Sequence, residues 1–327
     1  MIKVEHLTKY YGEFLAVSDL SFEIDEGHVY GFLGPNGAGK TTTMNIMTGC
    51  LSATSGHVEV GGCDIFEQPR RAKRLIGYLP EQPPLYLYET PLEYLRFVGE
   101  AKGLRGAELD RQIGEVVDRV GIGPVQHRRI SALSKGYKQR VGIAQALLGN
   151  PKVIILDEPT VGLDPIQIIE IRDLIKELGQ QHTVILSSHI LSEVQAICDK
   201  ILIIAHGKLL AFDTPDRLEQ NMLSGSQILF TAEAGVGMVR QLLSGIPHIT
   251  EVILSEQEGG RVTAQLKTDS PDIYEVSRRI FFAFANKHLA LLEMSLKRAT
   301  LEDIFLELTE GAPSGRTAKG GKEANKK

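Results

Sequence analysis

Residues 29–47 read VYGFLGPNGAGKTTTMNIM, and this stretch decides the fold. Val29 to Leu33 have apolar strand character and run straight into Gly34-Pro35-Asn36-Gly37-Ala38-Gly39-Lys40-Thr41. Met44, Ile46 and Met47 then recur at helical spacing ahead of Gly49, a natural helix stop. The octet has the form G-x-x-x-x-G-K-[ST] and lies between a predicted strand and a predicted helix, the context in which such a turn wraps phosphate. Its glycines let successive backbone N–H groups close on phosphate oxygens, and the helix N-terminus adds its positive dipole end. Lys40 is expected to reach the β- and γ-phosphates, and the Thr41 hydroxyl to hold Mg²⁺.

Val153-Ile154-Ile155-Leu156-Asp157-Glu158 complements this loop. Four apolar residues predict a buried strand whose C-terminal end delivers two carboxylates beside the phosphates, the edge at which open α/β sheets bind ligands. Asp157 is the expected metal-side acid. Glu158, one residue further on, is the expected general base for water attacking the γ-phosphorus. Further strands are expected at residues 2–5, 20–24, 57–60, 76–79, 183–187 and 200–204. Helical periodicity appears at 91–102, 108–120, 136–148, 166–178 and 190–197. The strands at 29–33, 153–156 and 183–187 are apolar throughout, as a parallel sheet covered on both faces requires. Together these predict an α/β nucleotide-binding domain over residues 1–222, with a helical subdomain at about 83–150.

From about residue 225 the pattern restarts as β-α-β-β-α-β, which predicts a small ferredoxin-like α+β domain over 223–310 that ends in a helix at 301–308. Residues 311–327, GAPSGRTAKGGKEANKK, have no apolar face and are expected to be a disordered basic tail.

The chain has 327 residues, 43% hydrophobic and 24% charged, within the range of folded globular proteins. No apolar run approaches the roughly 20 residues of a membrane span, and the N-terminus MIKVEHLTKYYG lacks a signal-like apolar region, so export is not expected. Three scattered cysteines, Cys50, Cys63 and Cys198, form neither a disulfide framework nor a metal-ligand pattern. The net charge is −5, and the tail carries Arg316, Lys319, Lys322, Lys326 and Lys327 against Glu323, so the body is more acidic still. An acidic body argues against nucleic acid as a partner.

Leu133-Ser134-Lys135-Gly136-Tyr137-Lys138-Gln139-Arg140 stands shortly before the Asp157 strand, and His189 follows the next strand in SSHIL. With these motifs the sequence resembles the ATP-binding subunits of ABC transporters over residues 2 to about 220. Within that family it is most similar to the ABC-2 type export ATPases. The resemblance implies an ATPase that binds ATP and Mg²⁺ at a dimer interface, either a homodimer or a pair with a sibling subunit. It also implies a separate membrane-spanning permease and a peripheral position on the cytoplasmic face of the membrane.

Residue by residue, the resemblance implies that Gly34, Asn36, Gly37, Gly39, Lys40, Thr41 and Thr42 surround the phosphates. Tyr11, with Tyr10 as its rival, stacks on adenine. Ser134 and Gly136 cap the γ-phosphate of ATP held by the other subunit. Asp164 in VGLDP resembles the dimer-contact acid and reads equally as a helix N-cap ahead of Pro165. His189 resembles the switch histidine at the γ-phosphate. Two departures stand out: Glu81 occupies the usual metal-sensing glutamine position, with Gln82 one place later, and Lys135 brings a cation to the start of a helix. Gln82 and Glu81 therefore both remain candidates for the metal.

A soluble ABC ATPase acting on ribosomes or nucleic acid is the competing reading. Translation factors of that type carry two nucleotide-binding domains, and this chain has one phosphate loop. A GTPase would need an N/T-K-x-D motif, which is absent.

Overall fold

The computed structural model describes residues 1–221, 226–257, 259–270 and 272–297, together with Phe305. The chain divides into two compact units. Among the described residues, the first takes Met1–Cys198 and Leu202–Leu210, and the second takes Asp199–Ile201 and those from Ala211 on. The expected helix at 301–308 and the tail at 311–327 lie outside the described residues, apart from Phe305.

The first unit opens with β1 (Ile2–Tyr11), β2 (Phe14–Ile24), β3 (Val29–Leu33) and α1 (Lys40–Met47). Next come β4 (Ser55–Val60), β5 (Cys63–Asp64), α2 (Pro69–Arg74), β6 (Ile76–Leu79), α3 (Pro91–Ala101), α4 (Gly106–Arg119) and α5 (Lys135–Leu147). Then come β7 (Val153–Leu156), α6 (Pro165–Leu178), β8 (Thr183–Ser188), α7 (Leu191–Ile197) and β9 (Lys200–Ala205); β10 (Lys208–Asp213) and α8 (Pro215–Asn221) follow, with the division between the units after Leu210. One sheet has the order β10-β9-β3-β8-β7-β6, and a smaller one the order β2-β1-β4-β5.

Strands β3, β7 and β8 are buried at every position. They pair in parallel, Val29 with Val184 and Val153 with Thr183, and β6 joins β7 through Ile76 and Val153. Because parallel neighbours share direction, their C-terminal ends open at one edge, and the phosphate loop and both acids lie there. The antiparallel β1–β2 ribbon pairs Tyr11 with Phe14 across its turn.

The helical segment is held by local chemistry. Thr90 and Glu93 form a reciprocal capping box at the start of α3. Lys102, just past α3, donates to the carbonyls of Gln145 (2.8 Å) and Leu148 (2.7 Å), satisfying the last turn of α5.

In the second unit, β11 (Ser226–Glu233), α9 (Val236–Leu243), β12 (Ile249–Gln257), β13 (Arg261–Thr268), α10 (Ile273–Ala285) and β14 (Leu291–Lys297) form one antiparallel sheet in the order β12-β13-β11-β14. This is the expected β-α-β-β-α-β succession. Its core joins Ile228, Phe230, Val262, Ala264 and Leu266 of the sheet to Val239, Leu243, Val276, Ile280 and Phe284 of the helices. Alternation of buried and exposed residues along β13 puts Val262, Ala264 and Leu266 on one face, and the helical spacing 276-280-284 meets it.

Candidate functional site

The loop between β3 and α1 has the shape that phosphate requires. Gly39 sits at φ +103°, in the left-handed region, and a Cβ there would lie 2.7 Å from the Ala16 carbonyl oxygen. Gly34 is closed in more tightly, since its Cβ would fall 2.2 Å from the Ile204 carbonyl oxygen. Helix α1 starts without a side-chain cap, so its first N–H groups are left for an anion.

A cavity of about 460 Å³ lies over this loop, lined by Tyr11, Phe14, the turn from Asn36 to Thr42, Glu81, Glu158 and His189. Lys40 is 6% exposed. Its ammonium donates to the Gly34 carbonyl at 2.7 Å and stands 3.4 Å from Glu158 Oε1. A triphosphate entering the cavity would offer that cation a stronger partner.

Asp157 and Glu158 follow β7 directly and do different work. Asp157 is fully buried; its Oδ1 accepts hydrogen bonds from Ser187 Oγ at 2.6 Å and from Thr41 Oγ1 at 3.3 Å. Its Oδ2 is buried with no protein partner. Burial, with the nearby charges of Glu158 and Glu81, pushes the Asp157 carboxyl above its ordinary range, against the Ser187 and Thr41 hydrogen bonds. A divalent cation would reverse that penalty, so this oxygen fits a hard metal ion. Among the described residues no group of three or more Cys, His, Asp or Glu forms a protein-only metal cage. Mg²⁺ needs none, because it keeps waters and substrate oxygens around one or two protein ligands.

Glu158 adopts φ +48°, a left-handed conformation unusual for a side-chain-bearing residue. Its backbone N–H donates to Ser187 Oγ at 2.7 Å, which holds the turn. Its Oε2 lies 3.0 Å from His189 Nδ1. The carboxylate thus faces the cavity between a lysine and a histidine.

Tyr10 and Tyr11 are both roughly half exposed. Neighbouring strand residues point to opposite faces, and it is Tyr11, opposite Phe14, that lines the cavity. Tyr10 is not among the lining residues, and its backbone N–H is bonded to Thr54 Oγ1. Of the two candidates for the metal, Glu81 lines the cavity and Gln82 is not among the lining residues. Glu81 follows β6 and is near enough to Asp157 for its charge to push that carboxyl up.

Ser134, Gly136 and Asp164 are not among the residues lining this cavity. Ser134 caps α5, accepting from the Tyr137 N–H at 3.4 Å, and Asp164 caps α6, accepting from the Gln167 N–H at 2.9 Å. Gly136 and Asp164 share a second cavity of about 430 Å³ with Tyr137 and Arg140. Sequence reasoning missed Ser187, the hydroxyl that joins Asp157 to the Glu158 backbone. Its signal was the polar SSH ending of an apolar strand.

The ABC transporter family profile matches residues 17–161. The chain is 42% identical over 331 aligned residues to the bacitracin transport ATP-binding protein BcrA of Bacillus licheniformis, covering 96% of this chain and 99% of that protein. It is 33% identical to the linearmycin resistance ATP-binding protein LnrL of Bacillus subtilis, covering 94% and 98%. Among solved structures, the dimeric bacterial ABC transporter cassette MJ0796 superposes with a TM-score of 0.60 at 27% identity, over 65% of this chain and 98% of that one. A phosphate loop, paired acids and a histidine around one cavity, in a chain matching such relatives end to end, have one meaning: this chain belongs to the ABC transporter family, as an ATP-binding subunit that hydrolyses ATP to drive transport.

Proposed function

We propose that this subunit binds ATP with Mg²⁺ in the Tyr11–His189 cavity, completes the site by pairing with a second ATP-binding subunit, and powers export through a separate membrane permease. The observation that supports it most is the convergence of Lys40, Thr41, Asp157, Glu158 and His189 at the C-terminal edge of one parallel sheet.

In this reading Tyr11 stacks on the base and Lys40 leaves Gly34 to bind the β- and γ-phosphates. Thr41, Asp157 and Glu81 would hold the metal, whose charge would offset that of the phosphates. Glu158 takes the proton of the attacking water, and His189, 3.0 Å away, orients that carboxylate and reaches the γ-phosphate. Ser134 and Gly136 do not line this cavity and serve the nucleotide of the partner subunit, where the N-terminus of α5 meets the γ-phosphate. The nucleotide-binding domain spans residues 1–222 and the ferredoxin-like unit is accessory to it.

No helix among the described residues is long and apolar enough to cross a membrane; in this reading the transport path is supplied by the permease. A peripheral position on the cytoplasmic face follows from that division of labour. Relatives named for bacitracin and lantibiotic transport and for linearmycin resistance favour compounds of those kinds as the exported cargo.

The test is Lys40→Ala together with recovery from detergent-solubilised membranes. The variant should lose ATPase activity and most ATP affinity, and the wild type should co-purify with a multi-span protein. Undiminished hydrolysis would refute the site, and recovery with ribosomes instead of membranes would favour the soluble alternative.

A further inference from the structure

Glu193, on α7, is a buried carboxylate that the hydrolytic scheme does not use; it is 4% exposed. A carboxylate taken out of water is costly unless hydrogen bonds and charge compensate it, and an apolar residue would fill the same space without that cost. The compensating groups come from outside α7. Glu193 Oε2 accepts from Thr160 Oγ1 at 2.5 Å and from Ser188 Oγ at 3.3 Å, and Arg172 of α6 brings its guanidinium to 3.9 Å from Oε1. Thr160 stands two residues after Glu158, and Ser188 one residue before His189.

The position of these contacts matters because the β7–β8 ladder has ended there. The last β7–β8 pair is Leu156 with Leu186, so Asp157–Thr160 and Ser187–His189 are not paired with each other through the backbone, although Ser187 and Ser188 still pair with Phe32 and Leu33 of β3. Two braces span the gap. Ser187 ties Asp157 to the Glu158 amide on the strand side, and Glu193 ties Thr160 to Ser188 on the far side. Ser188 is itself fixed, since its hydroxyl accepts the Ile190 N–H at 3.0 Å. The Glu158–His189 contact of 3.0 Å lies between these braces and joins residues 31 positions apart.

We infer that Glu193 is a positioning residue for ATP hydrolysis, its buried carboxylate clamping the loop that carries Glu158 to the loop that carries His189. The inference rests on the proposed roles of those two residues. Glu193 is not among the residues lining the cavity; it sets the separation of two that are. The competing explanation is that an acid in the first turn of α7 merely favours the helix dipole. That explanation makes Thr160 irrelevant, whereas the clamp needs its hydroxyl.

The experiment compares steady-state ATP hydrolysis by the full chain carrying Glu193→Ala, Glu193→Gln, Thr160→Val, or Glu193→Ala with His189→Ala. Misplacing a catalytic pair by a fraction of an ångström costs about 10- to 100-fold in rate, so Glu193→Ala and Thr160→Val should lower kcat by that order. The KM for ATP should stay within about threefold, because the phosphate loop is untouched. Glu193→Gln keeps an oxygen that accepts from Thr160 and should recover most of the turnover. Adding Glu193→Ala to His189→Ala should reduce kcat no further, since the clamp acts through the histidine.

A kcat within about twofold of wild type for both Glu193→Ala and Thr160→Val would overturn the inference, as would a defect confined to KM or multiplicative losses with His189→Ala. If Glu193→Ala does not fold, the near-isosteric Thr160→Val decides alone. Glu158→Gln run in parallel separates the two claims. Retained turnover in that variant would refute the reading of the site, whereas its loss beside a fully active Glu193→Ala would refute the clamp only.

Discussion

Replacing Ser187 by alanine deletes one oxygen and two hydrogen bonds at the centre of the site. Ser187 is fully buried; its hydroxyl accepts the Glu158 N–H at 2.7 Å and donates to Asp157 Oδ1 at 2.6 Å. Losing it leaves the Glu158 amide as an orphaned buried donor, at a cost of about 1–3 kcal/mol. It also removes a hydrogen bond to a carboxylate, a class of interaction that contributes about 1.5–3 kcal/mol. Asp157 Oδ2 already lacks a partner, so the carboxylate would keep only the longer Thr41 contact. Partial relaxation makes the two terms less than additive, and the expected destabilisation of the nucleotide-free protein is about 2–4 kcal/mol. Urea unfolding followed by circular dichroism reads this, since the chain has no tryptophan. Turnover should fall further than stability predicts, because the same bond holds Glu158 in its left-handed conformation at φ +48°. An unfolding midpoint and a kcat both indistinguishable from wild type would refute the reasoning.

Tyr11→Ala should weaken ATP binding by about 1–3 kcal/mol, the contribution of a base stacked on an aromatic ring, while Tyr10→Ala leaves affinity nearly unchanged; titration calorimetry distinguishes them. Asp157→Asn should raise the melting temperature of the nucleotide-free protein yet abolish Mg²⁺-dependent hydrolysis. The sign follows from its raised carboxyl pKa: the folded state holds this proton more tightly than the unfolded chain. Its contribution to stability is therefore present at low pH and is lost as pH rises through the folded pKa. Thermal melts from acid to neutral pH should show a shallower decline for Asp157→Asn than for wild type when no nucleotide is present.

Much of this arrangement is legible in the sequence because its signals are local. Strands β3 and β7 appear with their observed bounds, since a short apolar run bounded by turn residues leaves little freedom, and α3 to α6 agree within about two residues for the same reason. The β1–β2 ribbon is longer than its apolar residues suggest. Glu5 and His6 interrupt the alternation, His6 takes φ +49°, and the pairing register shifts between Val4 and Leu7. Strand β10 escapes notice because KLLAFD carries no buried–exposed alternation; after its exposed first residue it is partly buried throughout.

The same logic divides the site. Lys40, Thr41, Asp157 and Glu158 announce themselves through motif spacing. Ser187, Thr160 and Glu193 act through hydrogen bonds to segments about 30 positions away in the chain, and only the folded sheet brings those segments together. Tyr11 and Glu81, each chosen over an adjacent residue, depend on which way a hairpin and a turn face, which composition does not encode.

The central claim is that one subunit holds ATP and the signature of a second subunit closes over it, with Glu158 as the base. Glu158→Gln preserves size and hydrogen bonding but cannot accept a proton, so ATP should bind and persist. Size-exclusion chromatography of this variant with and without Mg²⁺-ATP is the most direct measurement, taken with assayed turnover. The account predicts a shift from a 35.9 kDa monomer to twice that mass on adding ATP, with hydrolysis reduced about 100-fold or more. Wild-type hydrolysis rates in the Glu158→Gln protein, with no change in elution on adding ATP, would contradict it.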